Sequence, residues 1–108
     1  MAFAYKNFST LAGTTQSTSY TCPAATTAQI SFLQVCNVHA TATAEIAVVM
    51  RDESAATDYH IVANLSVPVG ATISLLDGTL ILEAADSIRI TASTASVVRL
   101  LGSAVERS

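Results

Sequence analysis

The sequence predicts an all-β fold, a two-layer antiparallel β-sandwich of jelly-roll or immunoglobulin-like topology with an extended N-terminal arm. Three observations predict it. From about residue 16 onward β-branched residues alternate with small polar ones, and Gly, Pro, Asp, Asn or Ala-Thr clusters break the alternation every eight to twelve residues. No segment keeps a 3.6-residue apolar period over three turns. The chain has 108 residues, enough for one domain with one core, so we expect residues 1–16 as arm and residues 17–108 as the sandwich.

About eight strands are expected. The first, residues 17–22, ends at Pro23, which cannot donate to a sheet ladder. The second, residues 28–39, puts Ile30 and Phe32 on one face and Val35 on the other by strict alternation. A bulge near Leu33 and Gln34 would bring Val35 back beside them. Residues 45–51 read as a central strand with Ile46, Val48 and Met50 on one face. In residues 59–65, Tyr59, Ile61, Ala63 and Leu65 point inward and His60 and Asn64 outward. Asp77-Gly78 suits a type I′ hairpin between residues 73–76 and 79–83. Residues 86–92 bury Ile88 and Ile90 and expose Ser87, Arg89 and Thr91, and residues 96–105 form the last strand, with Val98 and Leu100 on one face.

Composition narrows the function. The chain is 51% hydrophobic and 12% charged, so much of its surface must be Ser, Thr and Ala, groups that cost little to desolvate in a permanent protein contact. The net charge is −3 and the five cations (Lys6, Arg51, Arg89, Arg99, Arg107) are scattered, which argues against nucleic acid. No apolar run is long enough for a membrane span, and no secretory-signal pattern is present. Cys22 and Cys36 show no metal or redox spacing and are expected as buried, reduced core residues.

No catalytic constellation can be assembled. His39 and His60 have no partner acid that sequence selects, and there is no nucleophile elbow. Asp52, Glu53 and Asp58 lack the spacing and glycine of a calcium loop and read as a solvated turn. Glu83 and Asp86 read as shaping the turn before the next strand. The four glycines are isolated, and no phosphate loop, dinucleotide fingerprint or zinc spacing is present. We therefore expect no catalytic residue, cofactor or metal.

Residues 1–16 differ in character, because Phe3, Tyr5 and Phe8 are half of the six aromatics and a Gly/Thr-rich stretch follows them. Such a segment either docks on a neighbouring subunit as a latch or packs on its own domain as an edge strand. On the latch reading, removing residues 1–12 leaves the fold intact and abolishes incorporation into particles.

Tyr20-Thr21-Cys22-Pro23-Ala24-Ala25, Val35-Cys36-Asn37, Leu82-Glu83-Ala84-Ala85-Asp86-Ser87-Ile88 and Ala92-Ser93-Thr94-Ala95 together resemble a family of small tailed-bacteriophage virion proteins. Ala4-Tyr5-Lys6-Asn7 and Leu11-Ala12 extend the likeness over nearly the whole chain. The resemblance implies a non-enzymatic β-sandwich on the virion, synthesised in the bacterial host cytoplasm. It points to a capsid decoration or cement protein that binds the major capsid protein or another virion protein. A homo-oligomer is expected, a trimer by analogy. Neck, tail or fibre-attachment roles are the alternatives, with a carbohydrate- or receptor-binding module as the rival from a different class.

Overall fold

The computed structural model describes residues 3–108; Met1 and Ala2, the first two residues of the expected arm, lie outside the described residues. Among the described residues nine strands occur in order: β1 (Phe3–Leu11), β2 (Ser17–Thr21), β3 (Thr27–Asn37), β4 (Ala44–Asp52), β5 (Thr57–Val67), β6 (Thr72–Ser74), β7 (Leu80–Leu82), β8 (Ser87–Ala92) and β9 (Val98–Arg107). They form two antiparallel sheets. The first has the order β1-β9-β3-β6, with β7 also on β3, and the second has the order β2-β8-β4-β5.

β6 pairs with residues 34–36 of β3, and β7 pairs with residues 28–30 of the same strand. They are two halves of one edge strand, interrupted by residues 75–79. The expected Asp77-Gly78 hairpin does not form, since β6 and β7 both pair with β3 and not with each other. A type I′ turn needs positive φ at both centres, yet only Gly78 has it, at 121°. The chain carries on along β3 instead of reversing: the Leu75 N–H donates to the Leu33 carbonyl at 2.9 Å, and Leu75, Leu76 and Leu80 pack on the core.

With β6 and β7 counted as one, the first strand pairs with the last, the second with the next to last, and so on inward, with alternate pairs in opposite sheets. One long hairpin rolled up gives this order, which is the jelly roll and not the immunoglobulin topology.

Between the sheets lie Ile30, Leu33, Val35, Ile46, Val48, Leu82, Ile88, Ile90, Val98 and Leu100, all essentially solvent-free. Alternation predicts most of them. β3 departs from the expected phase because its extra residue is Ser31, between the pairs Ile30·Ala104 and Phe32·Ser103. That bulge lies two residues earlier than expected. It turns Leu33 inward with Ile30 and Val35 and sends Phe32 to the outside.

β4 is the expected central strand. In β5, the first of two register shifts against β4 sets Val62 rather than Ala63 opposite buried Val48, so Ala63, expected inward, is exposed. Tyr59, also expected inward, pairs with Met50 yet is exposed, while Ile61, Val62 and Leu65 are half-buried. Ser87, expected outside, is buried and accepts a hydrogen bond from Arg89 Nε at 3.0 Å. Both cysteines are free. Cys22 is buried as expected, whereas Cys36 is half-exposed.

Candidate interaction surface

Residues 3–11 form the edge strand β1, in unbroken register with β9 from Phe3·Arg107 to Leu11·Arg99. Alternation splits the three aromatics between two faces. Phe8 turns inward and is buried, stacked on Tyr20 of the second sheet with ring centroids 5.0 Å apart. The Tyr20 hydroxyl donates to Glu106 Oε2 at 2.5 Å, and Thr10 Oγ1 donates to Ser19 Oγ at 2.7 Å, so β1 and β9 are pinned to β2. Burial first, then the hydrogen bond to Glu106 and its charge, holds the Tyr20 phenol in its protonated form well above the usual range. Phe8 therefore belongs to the core rather than to a surface latch, and deletion of residues 1–12 would strip an edge strand and a core ring.

Phe3 and Tyr5 face outward, the latter 82% exposed. The register carries them into a patch across the whole first sheet. Tyr5, Val105, Gln29 and Ile81 lie in one cross-strand row, and Asn7, Ser103 and Phe32 in the next. Ser9, Leu101, Gln34 and Ser74 come after them, and then Leu11, Arg99, Cys36 and Thr72. Of the nine exposed large hydrophobics among the described residues, six share this face: Phe3, Tyr5, Leu11, Phe32, Ile81 and Leu101. A shallow groove of about 320 Å³ crosses it beside the bulge, lined by Tyr5, Lys6, Asn7, Ser31, Ser103, Ala104 and Val105.

Among the described residues, the only charged side chains on the paired outward positions are Arg99 and Arg107, the latter 5.9 Å above the Phe3 ring in a cation–π contact. These outward rows contain no acid, although the chain as a whole is acidic. Exposed apolar side chains gathered on one face make this the candidate interaction surface. Phe3 and Tyr5 stand out in the sequence as clustered aromatics. Phe32, Ile81 and Leu101 do not, because only the bulge and the cross-strand register bring them together.

The remaining candidates are occupied locally. Arg51 contacts Asp58 at 3.2 Å and Glu53 at 3.6 Å, and Asp52 accepts from the Ser54 hydroxyl and the Ala55 N–H. Buried Asp86 accepts the N–H groups of Glu53 and Glu83 and so ties two turns together. Buried Asn37 donates to the Ala42 and Val67 carbonyls and accepts the His39 N–H. His39 Nδ1 in turn accepts from Thr41 and Ala42, and His60 is exposed on β5. Among the described residues no three His, Cys, Asp or Glu side chains converge as metal ligands.

The chain matches no protein-family model, and no curated protein matches its sequence. Solved structures do match. A protein of Bacillus endospore appendages, described as a family of disulfide-linked pili, superposes with a TM-score of 0.59 at 12% identity over 99% of this chain and 87% of that one. The nucleoplasmin-like N-terminal domain of Drosophila FKBP39 gives a TM-score of 0.45 at 17% identity over 94% and 85%. A pentameric capsid protein from metagenomic phage sequences gives 0.42 at 20% identity over 93% and 59%. The first likeness bears on the fold alone, and the other two superpose too loosely to bear on either fold or role.

Proposed function

We propose that the chain is a non-enzymatic structural protein of an assembled particle. Its role is that of a capsid decoration protein of a tailed phage, docking on the major capsid shell through the outer face of the first sheet. That face carries the reading: six exposed large apolar side chains, cationic margins and no acid make a surface suited to a permanent protein contact. The charge-poor Ser/Thr/Ala remainder of the surface, the phage-virion resemblance, and the use of jelly rolls in viral capsids support it as well. The shared fold with a pilus protein is a further analogy of the same kind. Phe3 and Tyr5 take the anchoring role, while Phe8 holds their strand to the core.

The test is cryo-electron microscopy of particles assembled with the wild-type chain or with a Tyr5→Ser, Phe32→Ser, Ile81→Ser variant. Wild-type density at regular positions between capsid subunits, with the first sheet facing the shell, and its loss in the variant are the expected results. Density confined to the portal, tail or fibre base overturns the decoration role in favour of a neck, tail or fibre-attachment role. Absence of the wild-type chain from particles sinks the structural reading.

A further inference from the structure

The sandwich has four strand edges, and three of them are interrupted in ways that hinder pairing with another chain. β5 is broken by two register shifts, β2 by one between Thr18 and Tyr20, and the β6/β7 edge by the excursion at residues 75–79. Bulges and short edge strands are the usual means by which proteins block edge-to-edge association. β1 has no such interruption: nine residues run in unbroken register, without proline or bulge, and the one guard they carry is a single charge, Lys6, on the same side of the strand as Phe8.

Ladder parity shows which backbone groups are free. The Ala12 N–H donates to the Val98 carbonyl at 2.8 Å, one step beyond the Leu11·Arg99 pair. Hydrogen-bonded and non-bonded pairs alternate in an antiparallel ladder, so the even residues of β1 bond to β9. Phe3, Tyr5, Asn7, Ser9 and Leu11 therefore aim their N–H and C=O groups at the open edge. These same residues carry the outward side chains, none of them charged.

We infer that β1 is a homodimerisation edge, pairing antiparallel with β1 of a second copy about a two-fold axis at Asn7. This is the register in which all five free residues pair with free residues: Phe3 with the second copy's Leu11, Tyr5 with its Ser9, and Asn7 with its Asn7. It sets Phe3 beside Leu11 twice on the outer face and places Lys6 opposite Phe8 rather than opposite another lysine. Opposed apolar pairs and separated like charges are what stabilise such a ladder. The result is one continuous sheet whose two apolar faces lie side by side. The inference concerns the isolated chain and holds whatever particle the protein occupies.

The test is sedimentation of the full chain up to about 100 µM, above the micromolar dissociation constants of small interfaces. It is combined with cysteine scanning in a Cys36→Ser background. A hydrogen-bonded antiparallel pair sits about 5.5 Å apart at Cα, within disulfide reach. Asn7→Cys is therefore expected to give a disulfide-linked dimer on mild oxidation. Tyr5→Cys and Ser9→Cys should link only when mixed with each other. Ser9→Pro, which removes an N–H pointing at the open edge and spares the β9 ladder, is expected to yield a folded monomer. A monomeric wild-type chain, or cross-linking of Tyr5→Cys or Ser9→Cys alone in preference to Asn7→Cys, overturns the inference. A dimer that fails to enter particles leaves it standing and counts against the decoration role.

Discussion

Phe8 lies across Gly102, its partner on β9, so closely that a Cβ on the glycine would fall 2.3 Å from Phe8 Cζ, 2.5 Å from Cε2 and 3.0 Å from the Phe32 carbonyl oxygen. The ring has no easy retreat, because it is stacked on Tyr20 at 25° between ring planes. One edge strand, one glycine and one ring of the opposite sheet are thus locked together. Gly102→Ala is expected to destabilise the fold by about 1–3 kcal/mol through overpacking. Phe8→Leu in the same chain should recover part of that loss, so that urea unfolding of the double variant shows less than the sum of the two single effects.

The Tyr20 hydroxyl supplies the polar half of the same junction through its bond to Glu106, a residue only 9% exposed. Tyr20→Phe leaves that carboxylate without its donor and should cost about 1–3 kcal/mol at neutral pH. Its pH dependence comes from a phenol pKa raised in the fold above its ordinary value of 10.0. The unfolded chain loses this proton first, so the contribution is whole below pH 10 and declines as pH rises beyond it. The stability gap between wild type and Tyr20→Phe, followed by denaturant unfolding across that pH, should narrow. A gap that widens contradicts the assignment.

The position of the β3 bulge can be read from a pair of neighbours. With the extra residue at Ser31, Leu33 is in the core at 1% exposure and Phe32 is on the surface at 39%. Leu33→Ser should then cost about 3 kcal/mol or more, as loss of a fully buried apolar side chain does, while Phe32→Ser costs well under half of that. The order would reverse for a bulge after Phe32, and comparison of unfolding midpoints for the two variants decides it.

That pair also shows where sequence reading stops. Strict alternation suffices for Ile46 and Val48 in β4, Ile88 and Ile90 in β8, and Val98 and Leu100 in β9, because those strands keep one phase. Ser31, Ser19 and the extra residues of β5 are backbone events with no side-chain signature, so each resets the phase silently. The apolar face is only half-visible in sequence for the same reason. Phe3 and Tyr5 are neighbours along the chain, whereas Ile81 joins Tyr5 only through three successive strand pairings. Asp77-Gly78 misleads in a different way: its local turn preference yields to the burial of Leu75 and Leu76 along β3.

Asn37 closes three backbone bonds from a site that is 4% exposed, reaching the Ala42 and Val67 carbonyls at 2.8 and 2.9 Å and the His39 N–H at 2.9 Å. Each buried group left without a partner costs about 1–3 kcal/mol. Asn37→Ala is therefore expected to be among the most damaging polar substitutions. Asn37→Asp should fare no better, since it turns a donor into a carboxylate facing two carbonyls. Hydrogen exchange should show the loss of protection centred on residues 38–43, and unchanged protection there would contradict the role.

Among the described residues, four non-glycine residues, Ala25, Ala56, Ala85 and Ser96, hold positive φ of 55°, 51°, 71° and 65°. An L-residue loses about 1–2 kcal/mol in this region, and glycine avoids most of that while losing some entropy on folding. Ala85, exposed in the turn before β8 and bonded through its N–H to the Cys22 carbonyl, is the clearest case. Ala85→Gly should raise stability by a net ~0.5–1 kcal/mol. The mirror experiment is Gly70→Ala, where φ is 75° and a Cβ would meet nothing within 4 Å, so that any loss is conformational rather than steric. Opposite shifts of similar size in the two thermal midpoints are expected. A gain for Gly70→Ala would mean that the left-handed conformation is not what these turns require.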